Sequence, residues 1–210
     1  MAKDKILCLR HEVAVIGIDL LNGFFKAGKL ADPNMKWIIP NFAAMVERLE
    51  GCNVIYTADN HSADDAELKT FPPHCMRGTF QAEVVRELKG LNTELIVKKK
   101  TTNSFIGTEL EEILTRLRPR VAVFGGVCSD ICVIQAVITL SSKAEMFGLE
   151  RIIVPKDCMT TFGGPGRNVE EIDRNIFNTL GFVPGVEVID SQKDLKTVIG
   201  PQFIWENLHK

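Results

Sequence analysis

The chain has 210 residues, 45% hydrophobic and 25% charged, with a formal net charge of −2; this suits one ordinary domain with a buried core and excludes a disordered chain. The basic residues are scattered apart from Lys98-Lys99-Lys100, which argues against a nucleic-acid or membrane surface, and no apolar run approaches the roughly 18 residues of a membrane span. The opening MAKDKILCLRHE carries an early acid and no long apolar segment, so it does not read as a signal peptide, and the six cysteines are expected as free thiols in a reducing cytoplasm.

In chain order, VAVIGI (13–18), NVIYTA (53–58), ELIVK (94–98), VAVFG (121–125), RIIVP (151–155) and VEVI (186–189) read as strands. They are short, apolar on both faces and bounded by Gly, Pro or charge, the pattern of buried parallel strands. Helical patterns lie between them. The first starts at Asp32-Pro33 and stops at Gly51; the second is capped by Thr108, with Glu111 completing a capping box, and closes at Pro119. A third opens at Ser129 or Asp130 and runs through Gly148, and two more span 165–181 and 191–199. This alternation predicts an α/β fold in one domain over residues 1–210: a three-layer α/β/α sandwich with a mostly parallel, Rossmann-like sheet. Ligands in such folds bind at the carboxyl ends of the strands. Attention therefore falls on Asp19, Asp59, Lys98 to Lys100 and Cys128 to Cys132, and on the long aperiodic interval 59–80, since loops of about 20 residues inside a domain are usually functional.

Each strand end has a plain structural reading and a chemical one. Asp19 follows an apolar strand, where an acid is costly to bury unless paired or used; a turn aspartate explains it equally well. Three lysines in a row are more often a solvated strand end than a site. FGGVCSDICV is more specific. Gly125-Gly126 permits a tight turn and close approach to a ligand, and a cap at Ser129 or Asp130 puts Cys132 in the first turn of a helix. There the unpaired amides lower a thiol pKa and can bind an oxyanion. Cys128 falls in the preceding turn, where its backbone amide is better placed than its thiol. Cys8, Cys52, Cys75 and Cys158 read as small buried hydrophobes. In 59–79, Asp59 and His61 share one side of an extended strand end and His74 returns from a loop stiffened by Pro72-Pro73, with Asp64, Asp65 and Glu67 nearby. Mixed imidazole and carboxylate donors suit Zn, with Mn or Fe also compatible. His11 and His209, near the ends, read as incidental.

Together these residues resemble the isochorismatase-like cysteine hydrolases, and within them the nicotinamidases. IGIDLLNGFF resembles the first-strand motif with Asp19 as the triad acid, and KKKTTNSFIGTEL resembles the lysine motif, which selects Lys99. GGVCSDICV resembles the nucleophile motif with Cys132 as nucleophile; TADNHS with FPPHCMRGT resembles the metal loop. The resemblance implies Asp59, His61 and His74 as metal ligands with Glu67 as an acidic fourth, and Phe24 and Phe71 as aromatic walls for a pyridine ring. It further implies a cis bond at Val127-Cys128 and an oxyanion hole from the amides of Cys128 and Cys132. Leu21, where Gln is frequent, and Cys128, where a small residue is usual, depart from the pattern.

The implied function is hydrolysis of nicotinamide to nicotinic acid and ammonia through a thioester on Cys132, in NAD salvage, with a divalent metal and no organic cofactor. The implied partner is a small amide, with homo-oligomerisation left open. Hydrolysis of another small amide, such as an N-carbamoyl compound or ureide, is the alternative within enzymes. A thiol or metal sensor is the alternative outside them, and it would leave Asp19 and Lys99 without a purpose.

Overall fold

The computed structural model describes residues 12–200 apart from 50, 92 and 94; Cys8, His11, His209 and the tail after Gly200 lie outside the described residues. Six parallel strands form one sheet in the order β3-β2-β1-β4-β5-β6. They are β1 (Val13–Ile18), β2 (Asn53–Asp59), β3 (Ile96–Lys99), β4 (Val121–Gly126), β5 (Arg151–Pro155) and β6 (Val186–Ile189). Each sequence-predicted strand is present, within two residues at the ends.

Strand alternation divides the interior into two cores, one on each face. Val13, Val15, Val54, Tyr56, Val121 and Val123 point to one side, where they meet Ile38, Phe42 and Met45 of a helix together with Leu195 and Ile199. Ile16, Ile18, Ile55, Ala122, Phe124 and Ile152 point to the other, against Leu110, Leu114, Val137, Leu140, Phe147 and Leu180. A two-residue side-chain period applied to an all-apolar strand requires this arrangement, and the result is the expected α/β/α sandwich.

The helices, in chain order, are α1 (Asn22–Phe25), α2 (Ile38–Arg48), α3 (Leu110–Leu117), α4 (Ile134–Ser142), α5 (Ala144–Phe147), α6 (Val169–Leu180) and α7 (Leu195–Ile199). Several boundaries differ from expectation for identifiable reasons. Asp32 does cap, accepting from the Asn34 N–H at 2.9 Å, but a 3-10 segment (Pro33–Trp37) precedes α2. Pro40 has no N–H to return four residues back, so an α-helix running from Pro33 would break there; restarting at Ile38 leaves Pro40 in the first turn, where no such bond is needed. Thr108 accepts from the Leu110 N–H at 3.3 Å, yet Glu111 completes no capping box because its carboxylate is paired with Lys143. The helix expected from Pro165, α6, starts at Val169, capped by Asn168, because residues 164–167 fold back on themselves. Sequence periodicity gave no sign of α1, which is one turn long.

The two glycines ending β4 serve packing, which corrects the expectation that they bring the backbone to a ligand. A Cβ on Gly125 would stand 2.7 Å from the Phe42 ring and 2.9 Å from the Cys158 carbonyl oxygen. One on Gly126, at φ +126, would stand 2.0 Å from the Ile18 carbonyl oxygen. Gly126 therefore lets β1 and β4 stay paired to their last residues, Ile18 opposite Gly126, just where Asp19 and the turn carrying Cys132 diverge. Gly126→Ala is expected to destabilise the fold by on the order of 3 kcal/mol, combining backbone strain and overpacking; urea denaturation measures it, and a loss below about 0.5 kcal/mol contradicts this role for the glycine.

Candidate active site

The chain order of the strands differs from their order in space, and the reversal falls between β1 and β4. In open α/β sheets ligands bind outside the carboxyl ends of the strands at this point. Four adjacent strands, β3, β2, β1 and β4, each deliver one polar group there.

Asp19 follows β1 with φ 51, a left-handed conformation that Asp tolerates better than most residues. Its own N–H donates to the Thr57 carbonyl, and its Oδ1 accepts the Asp59 N–H at 3.1 Å. Asp59 ends β2 and Lys99 ends β3, opposite each other in register. Along β3, Ile96 and Lys98 are exposed while Val97 and Lys99 are buried. Alternation thus turns Lys99 inward and Lys98 outward, and Lys100 pairs at the surface with Asp65. Cys132 lies in a single π-type turn, Ser129–Val133, that leads from β4 into α4; such turns concentrate at functional sites. The Val127-Cys128 peptide bond is cis.

These groups converge on the Lys99 ammonium, which is fully buried. Its Nζ lies 2.7 Å from Asp19 Oδ2 and 3.7 Å from Cys132 Sγ, and it is hydrogen-bonded to Asp59 Oδ1. Burial disfavours charge on every member, but their mutual attraction opposes it unequally. Burial would lower Lys99, and the charges of Asp19 and Asp59 override it, holding the ammonium well above its usual range. For Asp19, burial and then the neighbouring Asp59 charge outweigh Lys99, so its carboxyl is pushed up to about 7. Asp59 goes the other way: burial would raise it, but the Lys99 charge and hydrogen bond hold it below the ordinary carboxylate range. Burial also raises the Cys132 thiol well above normal despite Lys99. Cys132 is consequently favoured as a thiol with the Asp19 carboxyl beside it, in place of the expected thiol pKa lowered by the helix start.

Asp59 also belongs to a second cluster. Asp59, His61, Glu67 and His74 each offer a donor atom, all within 4.8 Å of one another. The loop after β2 returns through a parallel bridge between His61 and Met76, which brings His74 back beside His61. His74 Nδ1 meets the Pro72 carbonyl at 2.9 Å and His61 Nδ1 meets Asp65 Oδ2 at 3.3 Å. Both partners accept only, so each Nδ1 is the donor and each Nε2 faces the centre, the orientation of metal-bound histidines. His74 Nε2 lies 3.4 Å from Asp59 Oδ2 and 3.8 Å from Glu67 Oε1; His61 Nε2 lies 3.9 Å from Glu67 Oε1. Ligands bonded at about 2.1 Å in a tetrahedron are roughly 3.4 Å apart, so little contraction is needed. His61 Nε2 and Glu67 Oε2 are buried without a hydrogen-bond partner, and burial together with the Asp59 charge raises Glu67. A divalent cation would relieve both conditions, so the donor set fits one. Asp65 supports His61 from behind and Asp64 is exposed, so neither competes with Glu67.

Both clusters open into one pocket with about 370 Å³ of empty space, its mouth included. Phe24 and Phe71 line it, with ring centroids 5.7 and 6.3 Å from that of His74. Gly23 allows this placement: a Cβ there would meet Cys75 Sγ at 2.5 Å. No hydrogen bond from the Cys128 N–H is found among the described residues, which leaves it available to a ligand. Sequence reasoning missed Leu30, Thr102, Ile131 and Phe162, which complete the walls. Phe162 follows β5, and applying the strand-end rule to that strand would have pointed to it. The five described cysteines are buried free thiols, and no helix among the described residues is long and apolar enough to cross a membrane.

The isochorismatase domain family matches residues 13–174. Nicotinamidase 1 of Arabidopsis thaliana is 29% identical over 181 residues, covering 76% of this chain and 74% of that protein. Among solved structures, the pyrazinamidase/nicotinamidase of Streptococcus mutans superposes with a TM-score of 0.72 at 26% identity, covering 84% of this chain and 99% of that one. The N-carbamoylsarcosine amidase of Thermoplasma acidophilum gives 0.74 at 25%, covering 88% and 99%.

The donor geometry predicts that His74→Ala, purified alongside the parent protein, loses at least half of its bound divalent metal by elemental analysis, while Asp64→Ala keeps the parental content. Equal metal in the His74 variant and the parent contradicts the ligand set.

Proposed function

The chain belongs to the isochorismatase family, and from that membership we propose that it is a cysteine amidohydrolase converting nicotinamide to nicotinic acid and ammonia, with the product returning to NAD. The observation that carries this reading is a single pocket lined by both the proposed nucleophile, Cys132, and the proposed metal donors Asp59, Glu67 and His74. An amidase for aliphatic amides needs the first set only; the second gives a polar anchor at a distance from the reacting carbon.

In the proposed reaction the substrate carboxamide lies over Cys132 with its ring between Phe24 and Phe71. Cys132 Sγ bonds to the amide carbon as its proton passes to Asp19, whose raised basicity suits it to accept a thiol proton near neutral pH. Lys99 stays protonated throughout, held by the Asp59 carboxylate when Asp19 carries the proton; its charge stabilises the forming thiolate and keeps Asp19 aimed at Sγ. The carbonyl oxygen becomes an oxyanion that accepts from the backbone amides of Cys128 and Cys132. Asp19 then gives its proton to the amide nitrogen, the C–N bond breaks, and ammonia leaves a thioester. A water molecule that loses a proton to Asp19 attacks the thioester carbon and releases the acid and the Cys132 thiol. Asp59, His61, Glu67 and His74 would hold a divalent cation, zinc by their donor types, which when bound supplies a Lewis-acidic anchor for a ring nitrogen. The chain's own contribution is positioning: the aromatic walls and anchored ring place the carboxamide against Sγ.

Likeness to an N-carbamoylsarcosine amidase at 25% identity favours a second reading, hydrolysis of an N-carbamoyl amide by the same three residues. Ammonia release from nicotinamide, pyrazinamide and N-carbamoylsarcosine, each with and without chelator, separates the two. The first reading predicts turnover of the pyridine and pyrazine carboxamides that falls at least tenfold on metal removal; turnover of N-carbamoylsarcosine alone, indifferent to chelator, contradicts it. Cys132→Ala is expected to lower the rate by at least about 10³-fold. Cys128→Ala, which keeps its backbone amide, is expected to stay within about tenfold of the parent, and the reverse pattern reassigns the nucleophile.

A further inference from the structure

The pocket wall formed by Phe162 has an unusual support. Phe162 follows Thr160 and Thr161 and precedes Gly163-Gly164-Pro165-Gly166, a run with almost no side chains to hold it in place and much backbone freedom. Several tethers reach this segment: the Gly163 N–H donates to Asp32 at 3.0 Å, the Cys128 thiol hydrogen-bonds the Thr161 side chain and the Phe162 backbone, and Arg167 folds back over it. The Arg167 guanidinium stacks on the Phe162 ring with its carbon 4.0 Å from the centroid, while its Nε donates to the Phe162 carbonyl at 3.3 Å. Its Nη2 donates to Asp130 at 2.7 Å and to the Thr161 hydroxyl at 3.0 Å, and that hydroxyl donates to the other Asp130 oxygen at 2.6 Å. Asp130 lies in the π-type turn two residues before Cys132, and the residue between them, Ile131, lines the pocket together with Phe162.

We propose that Arg167 is a positioning residue: one guanidinium ties the aromatic wall at Phe162 to the turn that carries Cys132, and so fixes the width of the slot in which a flat ring lies over the thiol. The planar fork suits this double task, since one face stacks on the ring while its edge pairs with a carboxylate. Lysine could keep the pairing but not the stack. The pair is partly exposed, with side-chain accessibilities of 29% for Arg167 and 16% for Asp130, so replacing the arginine does not leave a deeply buried charge unpaired. The inference deepens the amidase reading and rests on it for the identity of the ring.

A test independent of turnover is the rate at which Cys132 is alkylated by N-phenyl iodoacetamide relative to iodoacetamide, with the labelled residue assigned by tandem mass spectrometry. The parent protein is expected to prefer the aryl reagent, and Arg167→Gln to reduce that preference about three- to tenfold, the range of one cation–π contact. Arg167→Lys should recover the melting temperature but not the preference. In a Phe162→Ala background, Arg167→Gln should change the ratio no further. No preference in the parent, an undiminished preference in Arg167→Gln, or a loss that adds to that of Phe162→Ala overturns the proposal; a purely structural arginine would lower melting temperature and leave the ratio alone. Because alkylation needs no hydrolysis, a protein that releases no ammonia from any amide still reports this ratio, and the two readings fail separately.

Discussion

A single buried ammonium organises this molecule's polar interior. Lys99 is enclosed by the carboxylates of Asp19 and Asp59 and the sulfur of Cys132, with no water-exposed surface to share its charge. An isolated ammonium in that position would neutralise, as buried lysines do. Two flanking acids keep it charged, and in return it keeps Asp59 ionised while Asp19 is left near neutrality. The asymmetry between two acids on one lysine separates their tasks: the ionised one can ligate a cation, and the one poised near pH 7 can move a proton.

That arrangement depends on the sheet. Parallel strands place all their carboxyl ends on one edge, and the reversal of strand order beside β1 opens a crevice above them. Register then decides which side chains meet, with Asp59 opposite Lys99 and Ile18 opposite both Thr57 and Gly126. A slip of one residue in β3 would put Lys98 inward and Lys99 into solvent, dismantling the cluster without altering the hydrophobic count. The glycines closing β4 belong to the same requirement, because a side chain at Gly126 would force β1 and β4 apart below the site and one at Gly125 would displace Phe42 and the chain at Cys158.

Much of this was legible in the sequence, for physical reasons. Short strands rich in Val and Ile have few alternative readings, so β1, β5 and β6 fell at their observed limits. Asp19, Lys99 and Cys132 could be named because strand ends are few and their motifs are distinctive, and the Asp59–His61 spacing marked a donor pair. Long-range packing was not legible. The Glu111 carboxylate expected to complete a capping box pairs instead with Lys143, thirty-two residues away, and the helix expected from Pro165 starts at Val169, after a folded-back turn that arranges Phe162 and Arg167. Residue type likewise could not show that Asp59 serves both clusters, since that follows from where β2 and β3 stop. Nor could it show that the Cys132 thiol is raised rather than lowered, because burial outweighs the adjacent charge only once every neighbour is placed.

The central claim is that Cys132, and no other nucleophile, carries the acyl group of the amide. Rapid acid quench of the protein mixed with nicotinamide, followed by intact-mass and peptide mass spectrometry, tests it directly. The account predicts an adduct one nicotinoyl group heavier, confined to Cys132 and labile to hydroxylamine as a thioester is. An adduct on Cys128 or Asp19, or turnover with the label from heavy-oxygen water appearing in Asp19 and no acyl group on Cys132, would contradict it.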